Sequence, residues 1–142
     1  MPDGRILAID YGKRRTGIAV SDPLQLIAGG LCTVETPRLK AFITDYLAKE
    51  TVAAIVVGLP TQTTGEASEN QQRVRTFTAW LKQQFPETPV HFYDERFTSV
   101  IAQRAIIDGG IPRMKRRNKA LTDEVAATII LEDFLESRRP RG

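Results

Sequence analysis

The chain has one cysteine, one histidine and one tryptophan in 142 residues. Each shortage closes off a class of protein. Cys32 alone cannot make an internal disulfide, and with only His91 beside it a Cys/His zinc site is excluded unless chains share ligands. No run approaches the roughly 20 apolar residues of a membrane-spanning helix. No phosphate-binding P-loop is present, and no internal repeat. The opening MPDGRILAID has no secretory pattern and runs straight into an apolar strand, so no membrane partner and a cytoplasmic location are expected.

What is present is ordinary in amount: 42% hydrophobic and 26% charged, long enough for one domain with its own core, expected over 1–142. Net charge is only +3, yet the cations are clustered. Lys13, Arg14 and Arg15 form one run, and Arg113, Lys115, Arg116, Arg117 and Lys119 another. A basic tail over about 136–142 carries Arg138, Arg139 and Arg141. Such runs are either solvated loops or contacts for a polyanion.

Periodicity supplies the organisation. Arg5 to Asp10 and Thr16 to Ser21 read as strands joined by a turn at Gly12 to Arg15, and a third strand falls within Gly30 to Thr36. Leu39, Phe42, Ile43, Tyr46 and Leu47 have helical spacing after Pro37. Val52 to Gly58 is a continuous apolar run, as in a central strand covered on both faces. Val74, Phe77, Leu81 and Phe85 mark a second helix, with Trp80 packed beside the stripe, and Pro89 to Tyr93 a fifth strand. Thr98 caps a helix ending at Gly109-Gly110, and Thr122 caps a last helix from Asp123 to about Ser137, with the tail frayed after Leu135. Three antiparallel strands followed by strand–helix alternation imply an α/β mixed sheet with helices on its faces. Leu24, Leu26 and Ile27 are expected in the core, and Cys32 and His91 as strand residues without a chemical role.

Three acids then stand out: Asp10 at the end of the first strand, Glu95 after the fifth, and Asp123 opening the last helix. Strand ends and helix starts converge on one edge of such a sheet. Carboxylates gathered there repel, by about 4 kcal/mol per pair 4 Å apart at an effective dielectric near 20. A divalent cation relieves that repulsion, and an all-oxygen set suits Mg²⁺ or Mn²⁺. Each acid also has a plainer reading. Asp10 can cap a tight turn, Glu95 can pair at a strand end, and Asp123 can answer the helix dipole. Alternation forbids Asp94 and Glu95 from facing one side of a regular strand. The longer side chain favours Glu95 as ligand, and the sequence leaves the choice open.

These segments together resemble the YqgF (RuvX) family. Asp10-Tyr11-Gly12-Lys13-Arg14-Arg15-Thr16-Gly17-Ile18-Ala19-Val20-Ser21-Asp22 is similar to its opening signature. Gly58-Leu59-Pro60 with Gly65, Asp94-Glu95-Arg96-Phe97-Thr98-Ser99 and Asp123-Glu124-Val125-Ala126-Ala127 resemble its remaining motifs, in order. The resemblance implies an RNase H-like, RuvC-related five-stranded sheet of order 3-2-1-4-5, with strand 2 antiparallel and helices on both faces. It implies a Mg²⁺- or Mn²⁺-dependent nuclease acting on precursor 16S ribosomal RNA or, through RuvC, on Holliday junctions. By motif match, Asp10, Glu95 and Asp123 would hold metal, and Lys13, Arg14, Arg15 and Arg96 would contact phosphates, joined by the basic run Lys115, Arg116 and Arg117. Thr122 stands where an aliphatic residue is usual. Gly58 stands where RuvC carries an acid, so a RuvC-type site is rearranged here. A different class of function is a nucleic-acid-binding module without hydrolysis, whose acids are structural. Either a monomer or a weak homodimer is compatible with these readings.

Overall fold

Ile6 to Ile9 are wholly buried, and a strand covered on both faces needs an unbroken apolar run. That strand, β1 (Arg5–Asp10), is the centre of the sheet. The computed structural model describes residues 4–59, 66–94 and 119–138. Strands β2 (Arg15–Ser21), β3 (Ala28–Glu35), β4 (Val52–Leu59) and β5 (Val90–Asp94) join β1 in the order β3-β2-β1-β4-β5. β2 is antiparallel to β1 and β3, while β1, β4 and β5 run parallel. This is the mixed sheet expected from sequence. The expected helix after Thr98 lies outside the described residues.

The two faces are covered by different helices. Leu7 and Ile9, with Ile18, Ile55 and Val57, pack under α1 (Leu39–Lys49) and α2 (Glu66–Gln84) through Leu39, Ile43, Val74, Phe77 and Leu81. Ile6 and Ala8, with Ala19, Ala54 and Val56, pack under α3 (Lys119–Arg138) through Ala127, Ile130, Leu131 and Leu135. Three of the five strand residues on the α3 side are alanines, so the helix can lie close to the strands. Trp80 packs against the first cluster as expected, with the Lys40 ammonium 5.3 Å from its ring centroid. Cys32 is in no disulfide and lies half-buried on edge strand β3. No described helix is long and apolar enough to cross a membrane.

Three sequence expectations are corrected. The last helix starts at Lys119, so Thr122 is an interior residue and not its cap, and Asp123 sits in the second turn. Lys, Ala and Leu at 119–121 are strong helix formers and extend the helix past the threonine. Nor does it fray at Leu135: it runs to Arg138, and the Ser137 hydroxyl donates to the Phe134 carbonyl at 2.7 Å. Finally, Leu24 and Ile27 are 76% and 73% exposed, outside the core. The Asp22 carboxylate accepts from the backbone N–H groups of Leu24, Leu26 and Ile27 at 3.2, 2.8 and 2.8 Å. With Gln25 at φ 60, the β2–β3 turn curls around that carboxylate and sends its aliphatic side chains outward.

Two outcomes follow. Ala127→Leu puts extra methylenes between α3 and the sheet and should cost about 1–3 kcal/mol by chemical denaturation, with unchanged secondary structure content. Asp22 should titrate below its unfolded value of about 3.9, because the Ile27 N–H, followed by those of Leu26 and Leu24, favours its charged form. The lowered folded value means that the turn is stabilised above the unfolded pKa and loses that contribution as pH falls through the folded one. An acid titration followed by the Leu26 and Ile27 amide resonances should show both moving together below that value, and movement at or above it would contradict the cage.

Candidate nucleic-acid and metal site

Strand alternation decides which groups share a face. Ile6 and Ala8 point to α3, so Asp10, two residues on and half-buried, has the parity of the α3 face. Its cross-strand partner on β2 is Gly17. On the other side, the β1–β4 register ends at Ile9 opposite Val57, with Gly58 next along β4. Neither neighbouring glycine brings a side chain to the space beside the Asp10 carboxylate.

The same counting applies to β5. His91 packs its ring on Phe134 of α3, with centroids 5.3 Å apart. The Tyr93 hydroxyl hydrogen-bonds the Asp133 carboxylate of α3. Val90 packs instead with the α1/α2 cluster. Odd-numbered β5 positions therefore share the face of Asp10. Glu95 itself lies outside the described residues, as do Arg96, Lys115, Arg116 and Arg117.

Helix α3 runs opposite to β1. Glu132, Leu135 and Glu136, near its C-terminus, line a groove with Leu26, Ile27 and Ala28. Ala28 pairs with Ser21, whose Oγ accepts from the Ile6 N–H at 2.9 Å, so this is the end where β1 begins. The N-terminal turns of α3 accordingly lie toward the end of β1 at Asp10. Position 123 is one turn before Ala127 on the stripe that carries Ala127, Ile130 and Leu131. From position 123 to Leu135 the helix rises about 18 Å, close to the roughly 17 Å that β1 spans. Among the described residues no three His, Cys, Asp or Glu side chains gather, and Glu95 and the Asp123 side chain fall outside that set.

The turn after Asp10 is held as a rigid unit. A Cβ on Gly12 would stand 2.2 Å from the Arg15 carbonyl oxygen, so the chain folds over itself more tightly than any side chain permits. Thr36 closes the turn from across the sheet. Its hydroxyl donates to the Gly12 carbonyl at 2.7 Å and its N–H donates to the Arg14 carbonyl at 2.9 Å. Since that hydroxyl proton is committed, the buried Thr16 hydroxyl is the donor in the 3.0 Å contact with Thr36 Oγ1. From α2, Asn70 Nδ2 donates to the Tyr11 carbonyl at 3.2 Å, and Tyr11 lays its ring on Phe77 with centroids 5.3 Å apart. Burial pushes the Tyr11 phenol above its ordinary pKa against the opposing pull of Arg73, so it is a neutral hydroxyl and not a base. Lys13, Arg14 and Arg15 ride on this clamped turn and are exposed. The clamping residues Thr16, Thr36 and Asn70 were not legible as site residues, because Thr36 and Asn70 act across 24 and 59 positions of chain.

A family model described as "RuvX: Holliday junction resolvase" matches residues 4–137. A Bacteroides thetaiotaomicron protein named "Putative pre-16S rRNA nuclease" is 57% identical over 135 residues, covering 95% of this chain and 98% of its own length. A Porphyromonas gingivalis protein of the same name is 53% identical over 134 residues, covering 94% and 97%. Among solved structures, Thermus thermophilus RuvC in complex with a Holliday junction substrate matches with a TM-score of 0.56 at 18% identity, over 94% of each chain. That likeness is one of fold: the sheet order and antiparallel β2 are RNase H-like.

Gly12→Ala should force the Tyr11–Arg15 backbone apart, at a cost of about 1–3 kcal/mol in stability. Because the cations ride on that turn, affinity for a nucleic acid should fall as well, measured by fluorescence anisotropy at fixed salt. Unchanged stability would show that the turn relaxes freely.

Proposed function

The chain belongs to the RuvX family, and from that premise we propose that it is a nuclease that hydrolyses phosphodiester bonds in processing precursor 16S ribosomal RNA. The observation that carries the reading is a juxtaposition at one sheet edge. Asp10 ends β1 on the face covered by α3, α3 points its N-terminal turns toward that edge, and the exposed cations Lys13, Arg14 and Arg15 follow on a clamped turn. The names of close relatives supply the substrate, and their full-length coverage supports carrying it over.

The donor chemistry fits a hard divalent cation. Asp10 has oxygen donors, lies half-buried, and has glycines, Gly17 and Gly58, at the adjacent positions of β2 and β4. Asp10, Glu95 and Asp123 would hold Mg²⁺ or Mn²⁺. Such an ion, when bound, supplies Lewis acidity toward water and the phosphate and neutralises the carboxylate cluster. The remaining roles belong to the chain. Lys13, Arg14 and Arg15, with Arg96, Lys115, Arg116 and Arg117, would bind backbone phosphates and fix the scissile bond against the acids. The hydrogen bonds of Thr36 and Asn70 would keep that register.

Junction resolution is the second reading, favoured by the description of the family model. Against it, β4 ends on Gly58 and Leu59 and contributes no carboxylate to the α3 face.

The test is cleavage of end-labelled precursor rRNA and of a four-way DNA junction, with Mn²⁺ or EDTA. Wild type should cut the RNA only with metal, and Asp10→Asn should cut on the order of 100-fold more slowly while still binding. Symmetric cuts confined to the junction would select the resolvase. Equal binding by both proteins with no cleavage of either substrate would leave only a binding module.

A further inference from the structure

Resting on the nuclease reading, we infer that Phe92 of β5, with Arg75 and Lys82 of α2, forms a stacking platform for single-stranded RNA. The even parity of Phe92 sends its ring to the α2 side of the sheet, yet the residue stays 41% exposed. The Arg75 guanidinium carbon and the Lys82 ammonium each stand 5.9 Å from its ring centroid. Positions 75 and 82 are two helical turns apart, so both cations project from one flank of α2, over the strand. Both are exposed, and among the described residues neither has a carboxylate within ion-pair distance. From Asn70 to Gln84 the helix carries Arg73, Arg75 and Lys82 and no acid.

A partly exposed aromatic ring beside two cations that no described carboxylate pairs with is the chemistry that holds a single strand. The base stacks on the ring and the cations take the flanking phosphates. A duplex cannot use it, since its base faces are already stacked on one another. RNA is the occupant because the nuclease reading supplies an RNA substrate.

The location agrees. Phe92 pairs with Val57, and Val57 pairs with Ile9, the residue before Asp10. Two strand spacings, about 10 Å, separate Phe92 from that row. Phe92 lies on the opposite face of the sheet from Asp10. A strand with its scissile phosphate at Asp10 would pass over the carboxyl edge of the sheet and lay a flanking base on Phe92. A phenylalanine in an apolar strand reads as core, so the sequence alone does not mark Phe92.

The experiment is fluorescence anisotropy of the full chain with a labelled single-stranded RNA and with an RNA duplex, in EDTA, alongside thermal melts. Phe92→Leu should weaken single-strand binding about 10- to 100-fold and leave duplex binding unchanged, while Phe92→Tyr should retain it. Arg75→Gln with Lys82→Gln should lower the slope of log affinity against log salt by about 1.4 for the single strand. Wild-type affinity in Phe92→Leu, or an equal loss on duplex, would overturn the platform. If Phe92→Leu melts early, the surface double variant decides, and an unchanged salt slope overturns it. Withholding metal separates the two readings. Phe92-dependent binding by a chain that never cleaves when Mn²⁺ is added defeats the nuclease and spares the platform, and Asp10-dependent cleavage with Phe92-independent binding does the reverse.

Discussion

The close seating of α3 on the small-residue face of the sheet is the contact on which the rest depends. Ala8, Ala19 and Ala54 leave a shallow surface, and Ala127 meets it without a long side chain between, while Ile130, Leu131 and Leu135 fill the remaining space. Each of those three large side chains contributes about 1.5–3 kcal/mol on burial. The packing also fixes direction. With Leu135 at the end where β1 begins, the N-terminal turns of α3 are carried toward Asp10. A bulkier residue at Ala8 or Ala127 would therefore disturb both stability and the placement of α3 relative to Asp10.

A second constraint is electrostatic. The edge of the sheet that receives Asp10 is followed at once by Lys13, Arg14 and Arg15 on the turn that leaves it. The backbone that carries these cations can hold them at a fixed place relative to the acid only where it is stiff. The overlap that excludes any side chain at Gly12, and the double hold of Thr36 on Gly12 and Arg14, give that stiffness. The three cations are exposed.

The α2 flank extends this logic to the other face. The helix is apolar where Val74, Phe77 and Leu81 meet the sheet and cationic where it overhangs β5. On the nuclease reading, substrate contacts would lie on both sides of the carboxyl edge, with the sheet between them as a rigid spacer.

How much was legible in the chain differs from element to element. The unbroken runs of β1 and β4 announced central strands, because a strand covered on both faces admits no polar residue. The helical stripe of α1 and the three strands followed by βα units gave the class of fold, and Asp10 with its basic turn was readable as a candidate site from sequence alone. Local patterns suffice for these because burial and period are read residue by residue. The N-terminus of α3 was misplaced because a threonine before an acid looks like a cap, while Lys119, Ala120 and Leu121 continue the helix through it. Leu24, Leu26 and Ile27 looked like core because apolar residues carry no mark of the Asp22 cage that turns them outward. The sequence by itself determined which residues are apolar, which are charged and how the elements alternate. Only the tertiary structure decided which face each residue meets, that Thr36 and Asn70 clamp the turn, and that Phe92 lies open beneath two cations, because those facts depend on contacts between segments distant along the chain.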